Sequence, residues 1–412
     1  MNPTPPRSVG RSWQHQLLIA GGCAAFGVLV HLASPVVPVQ LATLGLGIGV
    51  IGAAFMLAWA ADAGEAVFSG GLVLAAVALV AVLPEFIIEI RFAFIQEAEL
   101  VTANLTGATR LLLTGATTLP LLLAYFARRR GEVAAPFQLA ATRRLELGIL
   151  LITSIFAIHI VARGNLTVFD GIILVALYLL YARRVQGTQG EERCAVGVAA
   201  GLLSLPPQYR RPAITGLIAA AGAVVVTIAN PFADALLATG TSLGIDPYLL
   251  IQSVVPVATE APEFVVVAVL VVNRRPALGL ALFLASSVSQ WTLGMGLLPI
   301  AYLAGGGGIS MPLAGREQLE LGFTIALTLF VVAALATLRP ERADAYLIAG
   351  VFAVQILYPS PFVRVAATFV LLVFAIDLIC ARRHSVRPLL RAGFRGAKGN
   401  AQFSSSNVGS NS

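Results

Sequence analysis

Apolar residues in this chain come in long continuous blocks, divided by short charged or Gly/Pro-containing breaks. Twelve blocks can be counted, at 15–33, 40–61, 66–92, 98–126, 145–163, 166–183, 211–231, 247–273, 276–303, 319–338, 343–358 and 360–381. A helix needs about 20 apolar residues to cross a hydrocarbon core of about 30 Å. Several blocks exceed that length, as tilted or broken helices do. The last two are short and meet at Pro359 and Pro361. The blocks do not alternate, which argues against barrel strands. The pattern predicts an all-α integral membrane protein of about twelve transmembrane helices.

Composition agrees. Hydrophobic residues make up 58% of 412 and charged residues 11%, where a soluble domain carries about a quarter charged. The surface of such a chain calls for lipid as its solvent. Arg7 and Arg11 precede the first block, as in a signal peptide, but in a multi-span protein that helix is expected to stay as an uncleaved first span. Cys23, Cys194 and Cys380 show neither CxxC nor Cys/His spacing, so no disulfide framework or zinc site is expected.

The net charge of +7 reads as basic loops facing the cytoplasm rather than as a nucleic-acid surface. With the N-terminus inside and twelve alternating spans, 22 of the 27 Lys and Arg residues fall in inside segments. The outside keeps Arg91, Arg163, Arg316 and Arg364, and Arg110 lies within a span. This bias predicts a multi-pass plasma-membrane protein with both termini cytoplasmic. The expected organisation is a cytoplasmic N-terminus (1–14), a first membrane half (15–183), a cytoplasmic linker (184–210), a second half (211–381) and a disordered basic tail (382–412). A short interfacial helix is expected near 194–205.

Carboxylates inside membrane spans are costly and mark functional sites. Glu85 lies in AVALVAVLPEFIIEI of the third span, and Glu263 in VPVATEAPEFVVVAVLVV of the eighth. The shared Pro-Glu-Phe reads as an internal repeat. Each Pro-Glu span leads into one with a polar patch: Thr102, Asn104, Thr106 and Thr109 in the first, Ser286, Ser287, Ser289, Gln290 and Thr292 in the second. An offset of five spans forces opposite orientation, so two inverted five-helix repeats are expected, spans two to six against seven to eleven, with motif regions 66–126 and 247–303. Pro84 and Pro262 lack an N–H and free carbonyls near Val80 and Ala258. Those carbonyls, one carboxylate per repeat and neighbouring hydroxyl or amide oxygens make a hard-oxygen cage suited to Ca²⁺ or Na⁺. Its carboxylates can also take up protons when the ion leaves, because low-dielectric surroundings penalise the charged form.

These residues resemble the α-repeats of the cation/calcium antiporter superfamily, the sodium/calcium exchanger membrane-region family. Its members carry Thr-Ser-x-Pro-Glu followed by Gly-Asn-x-x-Gly-Ser-Asn. VATEAPEF places Thr259 and Glu263 on the first element, VAVLPEF places Pro84 and Glu85 there, and ANLTGAT aligns Asn104 and Gly107 with the second. ASSVSQW is looser. Where the family has Thr-Ser, repeat one has Ala81 and Val82, and Glu260 replaces the serine in repeat two. The resemblance implies exchange of a small cation, Ca²⁺ foremost, against Na⁺ or H⁺ by alternating access. The expected ligands are Glu85, Glu263, Asn104, Thr259, Ser286 and Gln290, with Arg110, Glu89 and Glu260 as charge partners. Arg110 could pair with Glu85 or Glu89 and take the place of a cation. Monovalent Na⁺/H⁺ exchange is the alternative; a channel is less favoured. No cofactor is called for. An intramembrane enzyme would need a nucleophile–base pair that the four histidines and the span-end aspartates do not supply.

Overall fold

The structure is a computed structural model that describes residues 12–34, 36–68, 82–130, 137–186, 195 and 197–395. The expected N-terminal segment up to Arg11, residues 69–81 of the third span (Ala81 among them), most of the 187–196 linker and the tail from 396 lie outside the described residues. The chain divides into two compact units, residues 1–91 with 191–266 and residues 92–190 with 267–412. Each unit draws on both sequence halves.

The first unit holds α1 (Ser12–Ala33), α2 (Val39–Val67), most of α3 (Leu83–Phe94), α7 (Gly197–Leu203), α8 (Pro207–Leu243) and most of α9 (Pro247–Val272). Small residues let these helices approach closely, the packing device available where lipid removes the hydrophobic drive between helices. A Cβ added to Gly49 would stand 2.6 Å from Gly27 Cα, so α1 and α2 meet backbone to backbone. Thr43 and Thr239 hydroxyls lie 2.7 Å apart across α2 and α8. Arg91 pairs with Asp234 at 2.7 Å. The helix expected near 194–205 is α7, whose Val198, Ala199 and Leu202 are buried with Ala63 and Ile214.

The second unit holds α4 (Ala98–Arg129), α5 (Arg144–Arg163), α6 (Val168–Gln186), α10 (Pro276–Ser289), α11 (Met295–Ala304), α12 (Gly315–Leu335), α13 (Arg342–Leu357), α14 (Pro361–Ala381) and α15 (Arg383–Arg395). A two-stranded antiparallel ladder joins Asn165–Thr167 to Ser310–Pro312. Its buried polar centre is a charge cluster. Arg110 of α4 meets Glu320 of α12 at 2.6 Å and donates to Thr324 Oγ1 at 2.8 Å. Arg364 of α14 meets the other oxygen of Glu320 at 2.9 Å and donates to Gln355 Oε1 of α13 at 2.5 Å. Both guanidinium groups lie over the Phe323 ring, 4.6 and 5.7 Å from its centroid. One carboxylate thus ties four helices together, with every member buried.

Nine helices among the described residues are long and apolar enough to cross a membrane. Expected spans 166–183 and 343–358 appear as α6 and α13, outside those nine; α13 has 16 residues, about 24 Å of helix. The expectation of a disordered tail from 382 fails over 383–395. There Val386, Leu389 and Ala392 recur at helical spacing and are buried. Gly393 packs so tightly on α5 that an added Cβ would stand 2.7 Å from Ile152 Cδ1.

Two predictions follow from this packing. Gly49→Val overpacks the α1–α2 contact and should cost about 1–3 kcal/mol, whereas Gly22→Val, with nothing within 4 Å, should leave the thermal midpoint in detergent unchanged. Glu320→Gln strands two buried guanidinium groups and should cost about 3–5 kcal/mol. Arg364→Gln leaves the Arg110–Glu320 pair intact and should lower the midpoint less; the reverse order would show that the carboxylate is not the keystone of the cluster.

Candidate functional site

The site lies in the first unit, where two proline-interrupted segments meet the small-residue face of α2. α3 begins at Leu83, so Pro84 and Glu85 occupy its first turn. Proline is well tolerated there, and the positive end of the helix dipole favours an acid. α9 instead runs unbroken through Pro256 and Pro262. Each proline withholds the N–H that would bond the carbonyl four residues earlier, on Gln252 and Ala258. Thr259 and Glu260 sit just after the second of these carbonyls, and Glu263 just after Pro262.

Ala54 and Ala58 of α2, one turn apart, leave room opposite these residues. The result is a cavity of about 20 Å³ lined by Ala54, Ala58, Val82, Pro84, Glu85, Thr259, Glu260, Pro262 and Glu263, space for about one water-sized species. Glu85, Thr259 and Glu260 are buried and Glu263 is half-buried. Glu85, Glu260 and Glu263 face the same space, and Glu89 is close enough to act on Glu85 electrostatically. The Thr259 hydroxyl donates to Val255 O at 3.1 Å, which leaves its oxygen lone pairs available. Among the described residues no three Asp, Glu, His or Cys side chains draw together as a metal-holding cluster. The cavity is an open set of acids around a small space rather than a closed cage.

The other expected ligands belong to the second unit. Asn104 is fully buried on α4, Ser286 is buried on α10, and Gln290 is fully buried where a π-turn (Gln290–Gly294) interrupts the helix between α10 and α11. Such turns recur at functional sites. Most hydroxyls of the two polar patches are spent on their own helix. Thr102, Thr106 and Thr109 donate to carbonyls four residues back at 2.7–3.0 Å, as do Ser287 and Thr292. Trp291 donates to Thr328 Oγ1 at 3.0 Å. Arg110 has its salt bridge with Glu320, a residue that sequence reasoning did not single out, rather than the expected Glu85 or Glu89. Ala54 and Ala58 were missed as well.

The two Pro-Glu helices stop in the same way. Gln96 and Arg274 both adopt a left-handed backbone, φ 68° and 62°, each eleven residues beyond its glutamate. Glu97 N–H bonds Phe92 O and Arg275 N–H bonds Leu270 O, both at matching spacing, 2.9 and 2.8 Å. This is the Schellman closure of a helix C-terminus. It brings the next helix in thirteen residues after each glutamate, at Ala98 and at Pro276.

Comparison with known proteins accords with these features. The profile of the family described as sodium/calcium exchanger protein matches residues 37–185 and 213–360. A crystal structure described as the H⁺/Ca²⁺ exchanger CAX superposes with TM-score 0.87 at 29% identity, covering 95% of this chain and all of that one. Two structures of YfkE share the fold: one, described as a selenium-substituted Ca²⁺/H⁺ antiporter protein, at TM-score 0.60 and 14% identity, the other, native, at 0.57 and 15%. They cover 87% and 89% of this chain, and 99% of each relative. No curated protein sequence matches significantly. With the family profile matched along both halves, the chain is a multi-pass membrane protein that belongs to the sodium/calcium exchanger family.

Proposed function

We propose that this protein exchanges Ca²⁺ for H⁺ by alternating access, with Glu85 and Glu263 as the central ligands. The observation that carries the reading is the small acid-lined cavity at the two Pro-Glu segments. Its size suits one ion at a time, and oxygen donors suit a hard cation. Three acids around one small space support H⁺ rather than Na⁺ as the counter-ion, because like charges at such range call for a proton on their oxygens whenever the cation has left. Resemblance to an H⁺/Ca²⁺ exchanger over 95% of the chain favours the same choice. Thr259 contributes a hydroxyl and Glu260 a further acid, with Glu89 shaping the field. Asn104, Ser286 and Gln290 remain candidate ligands on the helices that follow the two Pro-Glu segments. Arg110, held by Glu320, anchors its own helix and does not replace the cation.

The matching helix stops support two repeats of inverted topology, spans two to six and seven to eleven, with residues 184–210 as the linker between halves. The basic bias supports a plasma-membrane protein with both termini in the cytoplasm. Reporter fusions should place both ends inside; either end outside removes the twelve-span assignment.

Proteoliposomes give the direct test. An imposed pH gradient should drive Ca²⁺ against its own gradient, and an Na⁺ gradient at fixed pH should not. Ca²⁺ flux that follows Na⁺ alone, or Na⁺/H⁺ exchange without Ca²⁺, would replace this reading. Apparent Ca²⁺ affinity should weaken on acidification, by up to about tenfold per pH unit for each proton displaced. Glu85→Gln and Glu263→Gln each remove a charge from the cavity and should weaken Ca²⁺ binding about a hundredfold or more. Glu97→Gln, exposed at the start of α4, should leave it unchanged. Wild-type affinity in both cavity variants would sink the ligand assignment.

A further inference from the structure

The last described helix, α15, separates two kinds of surface. At 3.6 residues per turn, Arg383, His384, Arg387, Arg391 and Phe394 fall within about 100° of arc, and all five are exposed. Val386, Leu389, Ala392 and Gly393 occupy the opposite arc and are buried. The apolar face is already spent: Gly393 and Leu389 pack on Gly148 of α5. Arg184 of α6 donates to the carbonyls of Gly393 and, at 2.7 Å, of Phe394, which fixes the far end of the helix. The protein holds α15 rigidly and turns its basic face outward.

Nothing described in the chain neutralises that face. Arg382, just before the helix, pairs with Glu341 at 2.7 Å and lies 3.6 Å from Asp344. Among the described residues Arg383, Arg387 and Arg391 form no ion pair. Residues 396–412 contain neither Asp nor Glu, so that segment offers no side-chain carboxylate.

The position of α15 says what can. It follows α14 after a single residue. α14 is the most apolar candidate span, with only 22% of its apolar window buried by protein. Phe362, Phe369 and Ile376 stand exposed along it, as on a lipid-facing helix. α15 therefore starts where the chain leaves the hydrocarbon, at headgroup depth, with three arginines and the exposed ring of Phe394 on one side. Arginine matches phosphate oxygens in bidentate geometry, and an aromatic ring suits the interface.

We propose that the exposed face of α15 is a docking surface for anionic lipid headgroups, with Arg383, Arg387 and Arg391 as the phosphate-binding residues. The occupant is lipid rather than a soluble anion because the stripe adjoins a lipid-exposed span.

The test titrates the full chain in neutral detergent with short-chain phosphatidylglycerol and reads bound lipid by native mass spectrometry. Wild type should bind phosphatidylglycerol well ahead of phosphatidylcholine, and added salt should weaken it. Each single Arg→Gln change should weaken the tightest site about fivefold and the triple change about a hundredfold. The triple Arg→Lys change keeps the charge but loses the bidentate fork, and should weaken binding by less than the triple Gln change. Unchanged affinity in the triple Gln variant, equal binding of phosphatidylcholine, or inorganic phosphate displacing the lipid mole for mole would each overturn the proposal. Thermal unfolding of the same variants should match wild type, because the side chains contact nothing they would leave unpaired. A loss of stability in step with lost lipid binding would assign these arginines to the fold instead.

Discussion

Burying a carboxylate where water is scarce costs several kcal/mol unless opposite charge or a proton accompanies it, and the chain meets that constraint in two ways. In the second unit the compensation is internal. Glu320 is gripped from both sides by Arg110 and Arg364, whose remaining donors find Thr324, Gln355 and the Phe323 face. In the first unit like charges are gathered instead. Glu85, Glu260 and Glu263 line one small space, with Glu89 near enough to add its field. Like charges at such range are tolerable only while protons or a cation share their oxygens. The first arrangement is closed and immobile. The second needs a mobile partner to offset its charge, which is the condition the proposed exchange places on it.

Much of this was legible because lipid imposes a strict grammar. Twelve apolar blocks correspond to observed helices, in part for the third, since a chain in hydrocarbon has few other ways to satisfy its backbone. The Pro-Glu-Phe pair stood out because carboxylates are rare in such blocks, and both glutamates line the cavity. What escaped was whatever depends on partners. Ala54 and Ala58 matter through their lack of bulk, and a run of alanines in an apolar helix carries no mark of which ones face a cavity. Glu320 sits inside the tenth span, but nothing near it in sequence announces Arg110, 210 residues away. The threonines of TANLTGATR looked like ligands in sequence, yet most are satisfied by their own helix. The tail was misread for the opposite reason. Five arginines over 382–395 masked the Val386, Leu389 and Ala392 stripe that seats α15.

The two Pro-Glu segments are alike at their ends and unlike at their glutamates. Both run eleven residues from the acid to a left-handed stop, so their exits from the cavity are built to one plan. Counted from that shared frame, however, Asn104 falls where the second repeat has Leu282, and Gln290 falls where the first has Leu112. The amide donors are thus not duplicated, and the π-turn at Gln290 shifts the register of its helix further. The acids differ too. Glu85 sits in a first turn, where the helix dipole stabilises negative charge. Glu263 sits mid-helix, after a proline that exposes a carbonyl. One segment presents its acid at a helix start and the other in mid-helix, near a carbonyl that a proline leaves free. A free carbonyl helps to hold a cation, whereas the positive end of a helix helps to hold a bare carboxylate. In the exchange proposed above, a pair divided in this way would offer the ion two faces of unequal grip, so that binding need not be so tight that release fails.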